Sequence, residues 1–314
     1  MSNSVLTVSN ETIAQMMKSY QSSLTDHCPP GAVFVAKPSG CTITAYKSGK
    51  VLFQGKSALT EANKWGDTSA SGTLVKKNKQ KSTITNKYSP PPNISELSII
   101  GSDEVGTGDY FGPMTVVAAY VSSEQINMLK QLGVKDSKDL NDIQITKIAK
   151  EIIKLVPHSL LILRNEKYNK LEQSGMNQGK MKALLHNQAI NHLLDKLTPA
   201  QILDGILIDQ FCQPDIFFRY LNGKQIKWKE KNAFFSTKAE GVHIAVAAAS
   251  IISRYAFVKE FEKLSEQAGF QLPKGAGPQV DKKAAELIKK HGPDSLLKFT
   301  KLHFANTDKA KKLL

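Results

Sequence analysis

The run Gly101-Ser102-Asp103-Glu104-Val105-Gly106-Thr107-Gly108-Asp109-Tyr110-Phe111-Gly112-Pro113 sets two adjacent carboxylates at the end of the apolar stretch Leu97-Ser98-Ile99-Ile100. Carboxylates at a strand end, away from any helix cap, are poor structural material and good ligands for a hard divalent cation. The glycines beside them let a ligand's backbone come close, because no Cβ stands in the way. Two further acids occupy apolar surroundings. Asp209 closes Gly205-Ile206-Leu207-Ile208, and Glu240 precedes the apolar run from Val242 to Ala249. A central sheet can bring such strand ends together although they lie far apart in the chain. Successive side chains on a regular strand point to opposite faces, so Asp103 and Glu104 share one site only if the strand is already turning there. Gly106 and Gly108 permit that turn. Four acids without four bases would repel one another, so a shared site needs cations, and two divalent ions would grip a phosphodiester from both sides. Plainer readings exist: Asp209 can begin a turn, and Glu240 can complement a helix dipole.

The elements that must position these acids are legible from apolar spacing. Ile13, Met16, Met17 and Tyr20 predict a helix over 10–22, followed by strands over 32–36, 42–46 and 51–53 and a short helix over 58–65. Residues 1–65 are therefore expected to form a small α+β domain with an antiparallel sheet. Residues 66–93, rich in Ser, Thr, Asn and Lys and ending in Pro90-Pro91-Pro92, read as a basic flexible linker. Residues 94–314 read as a larger α/β domain, with strands over 97–102, 114–121, 159–163 and 205–209. Its predicted helices cover 141–155, 177–197, 241–268, 281–290 and 293–301, and the small residues of 241–268 imply close packing on a sheet. His243 reads as a hydrogen-bonded core residue inside that helix, and Trp65 and Trp228 as packing residues. Tyr110 and Phe111, beside the glycine-rich turn, either pack or touch a sugar.

The 314-residue chain carries 42 Lys and Arg against 28 Asp and Glu, a formal net charge of +14. Arginine occurs only at Arg164, Arg219 and Arg254. Lysine is a hydrated point charge suited to phosphates, whereas arginine is the better reader of base edges, so a sequence-tolerant polyanion is the expected partner. Cys28, Cys41 and Cys212 have no metal-ligand spacing and fit a reducing compartment. With no signal peptide and no apolar run of membrane-spanning length visible, the expectation is a cytoplasmic protein without a membrane partner. The chain shows no oligomer seam and no obligate protein partner, which points to a monomer.

The run from Gly101 to Pro113 resembles the signature of type 2 ribonucleases H, and within them ribonuclease HIII. Three more blocks agree in order: Lys135-Asp136-Ser137-Lys138-Asp139-Leu140, Leu207-Ile208-Asp209, and Ser236-Thr237-Lys238-Ala239-Glu240 with the later Ala247-Ala248-Ala249-Ser250. Gly106-Thr107-Gly108 and a glutamate at Glu240 are similar to HIII, where HII typically has Gly-Arg-Gly and an aspartate. The resemblance implies a ribonuclease H-like fold, a mixed central sheet flanked by helices. It also implies a small N-terminal domain resembling the TATA-box-binding protein fold, which helps hold substrate. It further implies an endonuclease for the RNA strand of RNA–DNA hybrids, with Asp103, Glu104, Asp209 and Glu240 holding two Mg²⁺ or Mn²⁺ ions and leaving 5′-phosphate and 3′-hydroxyl ends. Gly106, Thr107 and Gly108 are then candidates for sensing the 2′-hydroxyl, and Lys135, Ser137 and Lys138 for contacting phosphates. An HII-like activity at embedded ribonucleotides and a DNA nuclease of the same fold remain alternatives.

Overall fold

The computed structural model describes residues 3–26, 28–29, 31–65, 87–228 and 232–314, and divides into two units, Met1–Ser82 and Thr83–Leu314. Most of the expected linker therefore lies outside the described residues. Its end does not: Tyr88 is buried in the larger unit, stacked on Phe218 and edge-on to Phe235, and its carbonyl accepts from Phe235 N–H. An aromatic ring that buries this fully anchors the chain before Pro90-Pro91-Pro92 begins.

In the smaller unit, β1 (Asn3–Thr7), β2 (Ala32–Ala36), β3 (Thr42–Tyr46) and β4 (Lys50–Gln54) form an antiparallel sheet in the order β1-β4-β3-β2. The strand β1 was not expected from its short, half-polar sequence, and pairing with β4 supplies what propensity does not. Helices α1 (Asn10–Ser19) and α2 (Ala58–Asn63) cover one face, where Ile13 and Met16 meet Phe34, Ile43, Ala45, Val51 and Phe53. Trp65 does more than pack: its Nε1–H donates to Tyr20 Oη at 2.8 Å, and that hydroxyl donates to Glu61.

The larger unit is built on a five-stranded mixed sheet of order β7-β6-β5-β8-β9. The strands are β5 (Ile99–Val105), β6 (Met114–Val121), β7 (His158–Leu163), β8 (Gly205–Asp209) and β9 (Ala233–Ser236). β5, β8 and β9 run parallel, so their carboxyl ends share one edge, while β6 is antiparallel to both neighbours. One face carries α3 (Ile126–Gln131), α4 (Asp142–Leu155) and α8 (Ile244–Ala268) over Ile99, Val117, Ala119 and Leu207. The other carries α6 (Gln178–Leu194) and α7 (Pro214–Tyr220) over Ile100, Val116, Ala118, Ile206 and Ile208. Alternate residues of each strand thus feed two cores, and both faces are dry. Between β7 and α6 lies α5 (Asn165–Gln173). Helices α9 (Pro278–His291), α10 (Ser295–Phe299) and α11 (Asn306–Lys311) enclose a further cluster around Tyr110, Phe111, Phe257 and Phe261. Among the described residues, no helix is long and apolar enough to cross a membrane.

The long helix starts later than expected, at Ile244. His243 is its cap rather than an interior residue: Nδ1 accepts from Ala245 N–H and Nε2 lies 3.1 Å from the Leu97 carbonyl. Burial pushes its imidazole down to about 4, so the ring is neutral and Nε2–H is the donor. Upstream, Ala239–Gly241 form a single 3₁₀ turn that carries Glu240. The approach of β5 to α8 is set by Gly101, where a Cβ would sit on the backbone of Ala245 and Val246. Gly101→Ala should therefore lower stability by about 1–3 kcal/mol, as overpacking does. Urea unfolding measures this, and a variant as stable as the parent would mean that strand and helix have room to separate.

Candidate active site

The strand β5 does not turn at its acid pair. It stays in register with β6 through Val105, with Asp103 opposite Val117 and Glu104 opposite Val116. The expected turn begins only after Val105, because the ladder to the fully buried β6 holds the strand extended. Alternation then sends Ile99, Gly101 and Asp103 toward α8, and Ile100, Ser102 and Glu104 toward α6. On β8, Leu207 faces α8 and so does Asp209, two residues on. Asp103 and Asp209 each follow the last paired couple of β5 and β8, Ser102 and Ile208, so they stand side by side where the parallel pairing of these strands stops.

On the α8 side the acids are bound into one network. Asp103 is 5% exposed, accepts from the Ser250 hydroxyl, and receives Glu104 N–H on Oδ1 at 2.8 Å. Ser250 Oγ is 2.9 Å from Ser137 Oγ, and Ser137 N–H donates to Glu240 Oε2 at 2.7 Å. Lys138 Nζ stands 3.4 Å from Glu240 Oε1, and Ala239 N–H donates to Asp209 Oδ1 at 2.8 Å. Burial, followed by the charges of Glu104 and Asp209, raises the Asp103 carboxyl well above its ordinary value. Burial also raises Asp209, and burial with a hydrogen bond to Asp136 raises Glu240. Asp136 itself is lowered, chiefly by the Lys138 backbone N–H. This side holds more carboxylates than it can keep ionised comfortably.

On the α6 side Glu104 has what Asp103 lacks. Lys182 Nζ lies 2.8 Å from Oε1, and His186 Nε2 lies 2.9 Å from Oε2. Burial acts to raise this carboxyl, but the hydrogen bonds and charge of His186 and Lys182 outweigh it and hold Glu104 below its ordinary value. His186 is fully buried, with Nδ1 2.7 Å from Ser102 Oγ and its ring stacked on Phe211. Sequence reasoning missed both residues, having read α6 only for its apolar positions. The signal was a lysine and a histidine four residues apart, the spacing that puts two side chains on one helix face.

The glycine-rich turn divides by role. Gly106 is buried at φ +91°, and a Cβ there would strike the Pro113 carbonyl oxygen and the Phe257 ring. Thr107 gives its carbonyl to Gln178 Nε2 at 3.1 Å, and only Gly108 borders open space. Tyr110 and Phe111 are fully buried and pack in the C-terminal cluster, which settles their alternative readings. The loop beyond is stapled from beneath by Lys301, buried and donating to the carbonyls of Asp109 at 2.7 Å and Gly112 at 2.6 Å. Burial brings its ammonium down to about 7. Of the expected phosphate contacts, Lys138 is exposed beside Glu240, and Lys135 lines a cleft of about 200 Å³ with Lys130 and Glu240. Ser137 is buried, with its N–H and hydroxyl engaged by Glu240 and Ser250, so it serves the acid network.

Among the described residues, no three His, Cys, Asp or Glu side chains converge tightly enough to enclose an ion as they stand. Each acid is held by a protein partner instead. The donor chemistry does fit a hard divalent cation: carboxylate oxygens throughout, with Asp103, Asp209 and Glu240 all disfavoured as anions by burial.

A family model described as Ribonuclease HII matches residues 100–307, and a domain of unknown function, DUF3378, matches residues 3–83. Ribonuclease HIII of Bacillus subtilis (strain 168) is 58% identical over 313 residues, covering 100% of this chain and 98% of the relative. Ribonuclease HIII of Bacillus pumilus (strain SAFR-032) is 58% identical over 314 residues and covered in full, as is this chain. Among solved structures, Bst-RNase HIII in complex with Mn²⁺ superposes with a TM-score of 0.69 at 45% identity, over 99% of each chain.

A carboxyl whose folded pKa is raised stabilises the fold below its unfolded value, near 3.8 for Asp103, and loses that contribution as pH climbs through the folded value. In chelator at pH 7.5, Asp103→Asn should therefore melt above the parent, by about 2–4 °C for each kcal/mol of relieved strain. The gap should close toward pH 4. Calorimetry across that range decides it, and a variant melting at or below the parent at neutral pH would contradict the assignment.

Proposed function

This chain belongs to the ribonuclease HIII family and is a ribonuclease H enzyme, and on that premise we propose that it hydrolyses the RNA strand of RNA–DNA hybrids endonucleolytically. The observation that carries the reading is the adjacency of Asp103 and Asp209 just past the last parallel pair of β5 and β8, with Glu240 joined to Asp103 through Ser137 and Ser250. Glu104 leaves the opposite face of β5, yet its charge still acts on both Asp103 and Asp209. Two Mg²⁺ or Mn²⁺ ions held by Asp103, Glu104, Asp209 and Glu240 would lower the pKa of the attacking water and stabilise the departing 3′ oxygen, giving 5′-phosphate and 3′-hydroxyl ends. The Mn²⁺ complex of Bst-RNase HIII supports that choice of ion.

The chain's own groups supply the rest. Ser250, Ser137 and Ala239 N–H hold the three α8-side carboxylates in place. RNA differs from DNA by its 2′-hydroxyl, and backbone groups of Gly106, Thr107 and Gly108 can read a sugar without reading a base. Gly108, facing open space, is the member best placed for contact. Lys135 and Lys138 flank Glu240 and suit backbone phosphates. In the smaller unit, α1 and α2 cover one sheet face only, leaving Val33, Tyr46, Leu52 and Gln54 on the other to extend the footprint along the hybrid. Binding that neutralises several phosphates weakens steeply with salt.

The test offers labelled RNA–DNA hybrid, double-stranded DNA, double-stranded RNA and a duplex with one embedded ribonucleotide, with Mg²⁺ or Mn²⁺ and then with EDTA. Expected is metal-dependent cleavage of the RNA strand of the hybrid, with 3′ ends that a polymerase extends. Asp209→Asn should lower kcat on the order of a thousandfold, equivalent to about 4 kcal/mol of lost charge stabilisation, while still binding hybrid. Cleavage of DNA strands, or full activity in EDTA, would refute the reading.

A further inference from the structure

Glu104 is engaged on both oxygens from the face of the sheet opposite Asp103, and that arrangement goes beyond what a cation ligand needs. His186 takes Oε2 and is itself locked between Ser102 and the Phe211 ring, so it fixes the direction of the carboxylate. Lys182 takes Oε1 at 2.8 Å with a side chain only 12% exposed. Burying a lysine is costly unless its ammonium is paired. Here the pairing is specific, because Nζ also lies 4.0 Å from the centroid of the Phe211 ring, a cation–π contact that restrains it beside Glu104. Phe211 follows Asp209 by two residues, so the strand end that carries one acid also delivers the ring that holds the cation of another.

We propose that Lys182 is a resident counter-ion of Glu104 that competes with the divalent cation for Oε1, while His186 is the positioning residue that keeps Oε2 aimed. The proposal rests on the reading of Glu104 as a cation ligand. It accounts for the contrast between the two faces: Glu104 has an ammonium on one oxygen and an imidazole on the other, whereas Asp103 is met by a hydroxyl and a backbone N–H. An ammonium at this place satisfies the carboxylate when no ion is bound and repels an arriving divalent charge at short range. Negative charge from a substrate phosphate offsets that repulsion. Full loading of the site is thereby coupled to hybrid binding, and a lone divalent ion is held weakly.

The experiment titrates Mn²⁺ into the full-length parent, Lys182→Met, Lys182→Gln and Lys182→Arg, with binding read by calorimetry and the melting temperature read in chelator. With the positive charge removed, both neutral variants should bind Mn²⁺ more tightly by roughly tenfold, as expected for loss of one like charge near the ion. Their melting temperatures in chelator should fall, and the gain in Mn²⁺ affinity on adding uncleavable hybrid should shrink. Lys182→Gln keeps a donor to Oε1, so it guards against a misfolded methionine variant. Lys182→Arg keeps the charge and should bind Mn²⁺ as the parent does. Neutral variants that fold and bind Mn²⁺ no tighter than the parent would overturn the proposal and make Lys182 an aid to ion binding. A parent that binds no Mn²⁺ would instead overturn the cation reading of the acids.

Discussion

Carboxylates forced close together in a dry place repel, and the larger unit is organised around that repulsion. Asp103 and Asp209 stand side by side where the parallel pairing of β5 and β8 stops, and Glu240 sits on the turn before α8. Nothing in the apolar cores on either face gains from this crowding. The cost is borne by the buried β-sheet and by α8, which approaches β5 closely at Gly101, and Asp103 two residues on is only 5% exposed.

The two faces of the sheet handle charge differently. On the α8 face, hydroxyls and backbone N–H groups orient the acids, Ser250 for Asp103, Ser137 for Glu240 and Ala239 for Asp209, with the exposed Lys138 ammonium 3.4 Å from Glu240. On the α6 face, the Lys182 ammonium pairs with one oxygen of Glu104 and His186 hydrogen-bonds the other. Hydrogen bonds from neutral donors leave a field that attracts a cation, whereas an ammonium cancels it. The division gives one edge of the sheet an attractive half and a guarded half. Both are rigid, since Ser102, Thr115 and Ser253 are all buried and hydrogen-bonded close to β5 and β6.

Support for the glycine-rich turn comes from the far end of the chain. Tyr110 N–H donates to the Gly275 carbonyl, Gly112 N–H to the Phe299 carbonyl, and Lys301 closes the underside of the loop. A loop that must present backbone groups cannot be held by those same groups, so tertiary contacts hold the residues on either side of it. Gly108 is left free by this arrangement, while Gly106 is spent on conformation.

The sequence alone marked the four acids, the glycine-rich turn, three strands of the smaller sheet, four strands of the larger one and the helices α1, α2, α4, α6, α8, α9 and α10, because apolar periodicity and strand-end charge are local signals. It did not mark β1 or β9, which are short and depend on a neighbouring strand for their hydrogen bonds. Nor did it mark α3, α5, α7 and α11, helices of a few turns stabilised by packing rather than propensity. Which face each acid uses was open, since alternation on a strand has consequences only once the strand's straightness is known. Only the folded sheet decided that Asp103 and Glu104 part company, and only the seating of α6 brought Lys182 and His186 to Glu104 across about 80 residues of chain (separations of 78 and 82). Residue type fixes what a side chain can bind; a charge balance between distant elements exists only when packing has set their distances.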